Sequence, residues 1–431
     1  MKKTLVALAA LSVISGTAIA QSSVSISGFG NLSYDMYSIG KGKAAAARTS
    51  NSSEDRVTDN SGRIIFASIE DLGRGMKALW QVDLRPLQDG TSRATAICGT
   101  PAVVAQAAGS VVAAQPAVAA AACTPGLNPL SGGNSHVGLS GSMGAIRLGR
   151  QDLHYTEGGN FTPVSNPTIH SHAGLLTTAA AGANVGRASR TANLMWYTSP
   201  TVGGVSGTVG YSTNGSSTSG MADVENDLAS AQRKGSTQYA RLGYAQGPVT
   251  AVVSYINEKS DSIGTPATAP GVTGVTALYA ANGAVADRSG TIVSFKYDMG
   301  VAKLGVAVAN NNSRAYAAGV AGASSKRGVT QYGIGVPMGA SNFALTYTAV
   351  GSVKANGVEA AATGATSLAL AYSYDLSKRT QVFAGIQSIT NNTNGAHGLF
   401  YNGDNVVGSI GSSPAAGEKL SVTSFGLRHS F

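Results

Sequence analysis

Leu420 to Phe431 read LSVTSFGLRHSF, the last twelve residues of the chain. Phe425, Leu427 and Phe431 alternate with Ser424, Gly426, Arg428 and Ser430. One face is therefore apolar and the other polar, the period-two signature of a β-strand, with His429 the single exception on the apolar side. A strand like this at the end of a soluble sheet would be an exposed apolar edge that invites aggregation. The rest of the chain has to supply a partner for it and an apolar surrounding.

At the other end, Lys2 and Lys3 precede an apolar run from Leu5 to Ile14, followed by Ala18-Ile19-Ala20. This order of basic, apolar and small-x-small segments predicts an export signal over residues 1–20 and a mature chain, 21–431, starting at Gln21. The apolar run is short and rich in small residues, which argues against a membrane anchor. Of 431 residues, 43% are hydrophobic, 12% are charged and 56 are glycine; the mean hydropathy is +0.06. Pro101 to Ala122 is the most apolar mature stretch, but Pro101, Gln106, Gly109, Ser110, Gln115 and Pro116 interrupt it and exclude a spanning helix. The formal charge of +9 falls to +7 once the two leader lysines are removed. It forms no basic tract, so no nucleic-acid partner is expected, and a field at a pore is the better reading.

The alternation recurs along the chain. Val24, Ile26, Leu32 and Tyr34 share one parity, with Phe29 off the pattern. A polar loop through Lys41, Lys43 and Glu54-Asp55-Arg56 is expected next, then a strand from Arg63 to Ile69 and a glycine turn at Gly73-Arg74-Gly75. In the following strand Met76, Ala78, Trp80, Val82 and Leu84 oppose Lys77, Gln81, Asp83 and Arg85. Hairpins are expected around Gly141 to Gly144, Pro200 to Gly204, Gly247-Pro248, Asp298 to Gly300, Pro337 to Ser341 and Asp375 to Lys378. About sixteen strands result, joined alternately by short turns and by long polar segments such as Ser212 to Ser236, Ser260 to Ser289 and Asn391 to Lys419. The fold class is thus all-β, a transmembrane antiparallel up-and-down barrel whose apolar parity faces lipid and whose charges face a lumen. Trp80, Trp196, Tyr211, Tyr255, Tyr297, Tyr347 and Tyr374 lie near strand ends and are expected in interfacial girdles.

Ser61 to Asp83 (SGRIIFASIEDLGRGMKALWQVD), Asn193 to Pro200 (NLMWYTSP), Tyr374 to Thr380 (YDLSKRT) and the closing Gly426 to Phe431 (GLRHSF) resemble the trimeric general porins of Gram-negative bacteria, in particular the neisserial and β-proteobacterial type. Barrels of the outer membrane also end on an aromatic residue. The resemblance implies a sixteen-stranded homotrimer in contact with outer-membrane lipid and lipopolysaccharide, passing small hydrophilic solutes and ions without a cofactor. It also implies a third external loop, here Gln151 to Ala192, folded inward as a constriction. Asp152 and Glu157 are its acidic residues; Arg63, Asp83, Arg150 and Arg190 fall on the family's pore-wall positions. One departure is that Gly132, Gly133 and Asn134 stand where family members often carry a basic residue. Another is the long second loop, Pro86 to Asn134, which holds both cysteines.

Cys98 and Cys123, isolated in one loop of an exported chain, are expected to form a disulfide, and they lack the spacing of a metal site. His154, His170 and His172 fall in the constriction loop, where solvated side chains are expected and no metal. The chain has no nucleophile elbow, His-Glu-x-x-His or phosphate-binding loop, so no enzyme is expected. The function read from all this is passive diffusion with weak anion preference. The alternatives are a channel specific for organic acids or phosphate, and a non-conducting adhesin or structural barrel.

Overall fold

A computed structural model of the protein describes residues 23–45, 52–86, 88, 132–158, 167–180, 183–185, 190–213, 236–259, 285–317, 320–399 and 414–431. Residues 1–20, Cys98 and Cys123 lie outside them. Sixteen antiparallel strands form one closed sheet. They are β1 (Ser23–Gly40), β2 in two segments (Ser53–Asp59 and Arg63–Gly73), β3 (Met76–Leu84), β4 (Ser135–Gly141), β5 (Gly144–Asp152), β6 (Arg190–Thr198), β7 (Val205–Ser212) and β8 (Ser236–Gln246). The second half comprises β9 (Val249–Lys259), β10 (Val285–Asp298), β11 (Lys303–Ala317), β12 (Val320–Met338), β13 (Ser341–Val350), β14 (Ala365–Asp375), β15 (Thr380–Asn391) and β16 (Lys419–Ser430).

Each strand pairs with its neighbours in sequence, and β16 closes the sheet against β1 in a register running from Phe29 opposite Ser430 to Gly40 opposite Lys419. The closure continues to the last residue, where the Phe431 amide donates to the Gly28 carbonyl at 3.0 Å. Phe425, Leu427 and Phe431 point outward at 52%, 48% and 52% exposure. The terminal strand thus finds its partner in β1, and its apolar parity joins an outer belt with Val253, Val293, Leu368 and Leu370. No helix among the described residues is long and apolar enough to cross a membrane. Strands do the crossing, and the 18-residue β1 is well beyond the roughly 9–11 residues that suffice.

That excess length explains where sequence patterning misleads. Glu54-Asp55-Arg56, expected in a loop, belongs to the first segment of β2 and pairs with Asp35, Met36 and Tyr37. The segment between the hairpins expected around Asp298 to Gly300 and Pro337 to Ser341 is not a long loop either: β11 and β12 pair as far as Ala317 with Val320. Both rise past the apolar belt, so both faces are polar and alternation disappears. Trp196 is a further correction. With Leu194 it points inward and is buried, while Met195 and Tyr197 face outward, so it is no girdle residue. Both parities of that strand are apolar, and period two cannot choose between them.

The interior is partly filled. The segment between β5 and β6 folds into the lumen as a 3-10 turn (His154–Thr156), α1 (Pro167–Leu176) and a small hairpin of Thr178–Ala180 with Ala183–Asn184. Leu175 and Leu176 bury themselves against Ile292, Ala307, Ala309, Val329 and Val350 of the inner wall. Leu153, Ala179 and Val185 pack against Leu194, Trp196, Tyr239 and Ile256.

Because outward positions face hydrocarbon, Val253→Arg should destabilise the barrel by about 2–4 kcal/mol, the penalty of an arginine near the bilayer midplane. Gln81→Arg, on the lumen parity, should be tolerated. Urea unfolding of the protein in lipid vesicles measures both, and equal damage would refute the facing of the sheet.

Candidate functional site: the lumen constriction

Arg63 is aimed by a break in β2. Between the pairs Leu32 with Asp59 and Phe29 with Arg63, β1 spends two residues and β2 three, so Asn60-Ser61-Gly62 bulges. Ser61 takes φ 63°. The bulge is held by the Gly62 amide donating to Asp59 Oδ1 at 2.8 Å, the Asn60 amide donating to the Asn31 carbonyl at 2.7 Å, and Asn60 Nδ2 donating to Ser33 Oγ at 2.8 Å. Arg63 then lies with Cζ 4.7 Å from the centre of the Phe29 ring, and Arg428 from β16 lies at 4.1 Å from it. Phe29, the residue off the alternation of β1, is therefore a cation–π platform inside the lumen.

Asp83 of β3 is the hub of the charge cluster. Arg85 grips it with two parallel bonds, Nε to Oδ1 and Nη2 to Oδ2, each 2.8 Å. Arg63 Nη1 stands 3.7 Å away, and the Asn134 amide donates to Oδ2 at 3.3 Å. The carboxylate is only 1% exposed. Gly133 explains the missing wall charge: a Cβ there would come 1.9 Å from Asp83 Cγ, so no side chain fits at this position while Asp83 holds its place. Arg85, which the strand pattern places only among the lumen-facing residues, supplies the counter-charge instead.

Asp152 stands opposite Arg190 in the register of β5 and β6, and the Asp152 amide donates to Asn134 Oδ1 at 2.9 Å. Arg63 interacts electrostatically with Arg85, Asp83, Asp152 and Arg190, and Arg190 does so with Arg150 as well. Five of the six expected residues thus meet in one cluster. With Arg85 it holds four guanidiniums against two carboxylates. Glu157 stands apart: it accepts from Arg241 Nε at 2.7 Å, with the Tyr239 hydroxyl at 3.5 Å. It ties the inward loop to β8.

Two of the loop histidines, His154 and His172, are not solvated as expected. His154 and His172 are fully buried; their Nδ1 atoms share hydrogen bonds with Ser254 Oγ at 2.8 Å and Thr348 Oγ1 at 2.7 Å. Asn311 Nδ2 donates to the carbonyls of Leu176 at 2.8 Å and Thr178 at 3.1 Å. Burial pushes both imidazoles down to about 3, so both are neutral at pH 7. His170 belongs to α1.

The model of the Gram-negative porins matches residues 7–394. The chain belongs to this family. Among solved structures the porin is similar to the anion-selective porin from Comamonas acidovorans, at 19% identity and TM-score 0.62 over 95% of this chain and 100% of that one. It is also similar to OmpT, an outer membrane protein of Vibrio cholerae (12% identity, TM-score 0.56, 96% and 99% covered), and to the outer membrane channel DcaP of Acinetobacter baumannii (13%, 0.52, 96% and 99%). No curated protein sequence matches. The porin is a channel of the Gram-negative outer membrane.

The depressed histidines give the loop a pH dependence of definite sign. Their bound-state values lie below the ordinary 6.5, so the packed loop keeps its full advantage above about pH 6.5 and loses it as pH falls toward 3, by up to about 1.4 kcal/mol per pH unit for each histidine. Channel recordings should show acid-induced flicker below pH 6, and His172→Gln should reduce its pH dependence. A wild-type current equally steady at pH 4 and pH 7 would contradict this.

Proposed function

We propose that the porin conducts small hydrophilic solutes and ions passively through a water-filled lumen, with a weak preference for anions, and that it does no catalysis. The observation that carries the preference is the cluster around Asp83: Arg63, Arg85, Arg150 and Arg190 outnumber Asp83 and Asp152, and Arg85 spends Asp83's two oxygens on a bidentate pair. Fixed positive charge in a narrow passage with low-dielectric walls raises the local concentration of anions. The similar fold of an anion-selective porin supports the same sign. Arg63, Asp83, Arg150, Asp152 and Arg190 are the residues assigned to the constriction, with Glu157 fastening the loop that narrows it.

The same proposal covers the life of the chain. Residues 1–20 direct export and are removed, the mature barrel assembles as a homotrimer as family members generally do, and its outer belt meets lipid and lipopolysaccharide. Cys98 and Cys123 close the long second loop by a disulfide, because exported chains mature where thiols oxidise. Mass spectrometry of the unreduced protein should yield a peptide joining Cys98 to Cys123. Two free thiols would reject the pairing.

Selectivity has its own test. In a dilute potassium chloride gradient the reversal potential should favour chloride weakly, and the preference should fade toward 1 M, where the screening length is about 3 Å. Arg63→Ser should shift the potential toward potassium. The same change at Arg56, which already pairs with Glu54 at 3.4 Å in the upper wall, should shift it much less. A wild-type channel that prefers potassium would show the sign to be wrong.

A further inference from the structure

On the outside of the barrel, toward the short turns, the face of β12 to β16 holds an apolar groove of about 450 Å³. The register makes it. Phe343 of β13, Tyr372 of β14, Ala384 of β15 and Phe425 of β16 stand side by side in one outward row. Neighbouring strands are about 4.8 Å apart, so the positions of Tyr372 and Phe425 are about 10 Å apart with only a methyl group between them. The next row reads Leu345, Leu370, Ile386 and Thr423, and there the wall steps down at Thr423. One flank is stiff: the Phe343 and Tyr372 rings lie 4.7 Å apart at 45°, and the Tyr372 hydroxyl shares a hydrogen bond with Ser341 Oγ at 3.1 Å. Phe425 forms the other flank.

Depth separates the groove from a charged rim beneath it. Ala384 lies four residues into β15 from Thr380, about 13 Å along the strand and about 10 Å in depth once the barrel tilt is allowed for. The interfacial layer of a bilayer is about 5–7 Å thick on each side, which puts the groove in hydrocarbon and the turn between β14 and β15 among headgroups. That turn carries Lys378 and Arg379, both exposed, and neither side chain has a hydrogen bond or ion pair among the described residues. The acids nearby are engaged elsewhere. Asp375 Oδ1 accepts from Gln381 Nε2 at 2.6 Å, and the terminal carboxylate accepts from the Gly28 amide at 3.3 Å on the β1 side. His429 of β16 faces outward at the same rim, its Nδ1 sharing a hydrogen bond with Thr380 Oγ1 at 2.9 Å. It is the polar exception of the closing strand, and a headgroup layer is the surrounding that admits it.

We propose that the groove and the turn below it form one site for an anionic phospholipid of the inner leaflet, with an acyl chain in the cleft over Ala384 and Thr423 and the phosphate on Lys378 and Arg379, beside His429. Basic side chains at the bilayer surface attract anionic lipid. A chain lying in a cleft also keeps dispersion contacts on three sides, where a smooth flank offers one. Lipopolysaccharide belongs to the opposite rim, because short turns mark the periplasmic side. A second copy of the barrel fits less well, since a convex flank bridges a narrow cleft without filling it. The proposal rests on the reading of the outer belt as lipid-facing, and it names the lipid and its place.

Native mass spectrometry of the purified full-length protein, released from detergent after incubation with phosphatidylglycerol, should show one lipid retained per barrel at collision energies that strip phosphatidylcholine. Ala384→Phe fills the cleft by an apolar-for-apolar change on the lipid face, and it should lower retention about tenfold. Lys378→Gln combined with Arg379→Gln should lower it about tenfold as well, to the level of phosphatidylcholine. Equal retention of the two lipids by the wild type, or unchanged retention in either variant, would overturn the site. So would an A384F protein that loses its oligomer and keeps its lipid, which would make the cleft a contact between barrels. Both variants touch only the outer surface and should conduct like the wild type in planar bilayers; were A384F not to insert, the double variant and the comparison of lipids would decide. A wild type that conducts and retains no phosphatidylglycerol would refute this site alone, whereas a wild type that does not insert would refute the lipid-facing belt itself.

Discussion

A sheet in hydrocarbon has no water to satisfy its edges, so every backbone N–H and C=O must find a partner within the protein. In this porin that requirement comes down to the seam between β1 and β16, continued by the exchange of backbone bonds between Gly28 and Phe431. With the seam closed, each strand has two neighbours and the parity of every residue is settled for the whole circumference. A one-residue slip would carry Arg428 into lipid and Leu427 into the lumen. The platform of Phe29 depends on the same seam, because Phe29 belongs to β1, Arg428 to β16 and Arg63 to β2.

Inside the barrel the physics changes from that of a membrane to that of a soluble core. The inward loop would lose its backbone hydration on entering the lumen, so the wall has to receive it as a protein interior would. Ala307, Ala309 and Ala365 leave space for Leu175 and Leu176, and Asn311 accepts the role of water by donating to two carbonyls at the end of α1. Burying a histidine there is tolerable only in its neutral form with a hydroxyl partner, which Ser254 and Thr348 provide.

Strands were legible where the wall crosses the apolar belt, since there alternate residues meet solvents of opposite polarity. Met76 to Leu84 shows this well. Beyond the belt both faces of the wall are wet, which hid Ser53–Asp59 and the upper parts of β11 and β12 from any periodic reading. Trp196 was misread for the converse reason, as both of its faces are apolar, one toward lipid and one under the loop. At the site, Arg63, Asp83 and Arg190 could be placed through family motifs around them. Arg85 and Arg241 could not be, because Arg85 bends back onto Asp83 only two residues before it and the partner of Arg241, Glu157, lies on a loop that arrives across the lumen. Phe29 did carry a signal: an aromatic on the polar parity of a strand needs a reason to face water, and two guanidiniums are that reason.

The acidic position of β3 then takes on a meaning different from that of an opposing wall. Four arginines in one cluster repel one another, and a wall formed only by them would splay or bind anions too firmly to release them. Asp83 lies between Arg85 and Arg63 with almost no exposure, where it lowers the repulsion between them while exposing little negative charge to the passing ion. The absence of a side chain at Gly133 is what allows the carboxylate to sit that deep. A basic residue at that position would add one charge to the wall and evict the counter-ion that holds two others in place. Gly133 with Arg85 is therefore an alternative solution to the same electrostatic problem, in which the counter-charge comes from the strand that carries the acid.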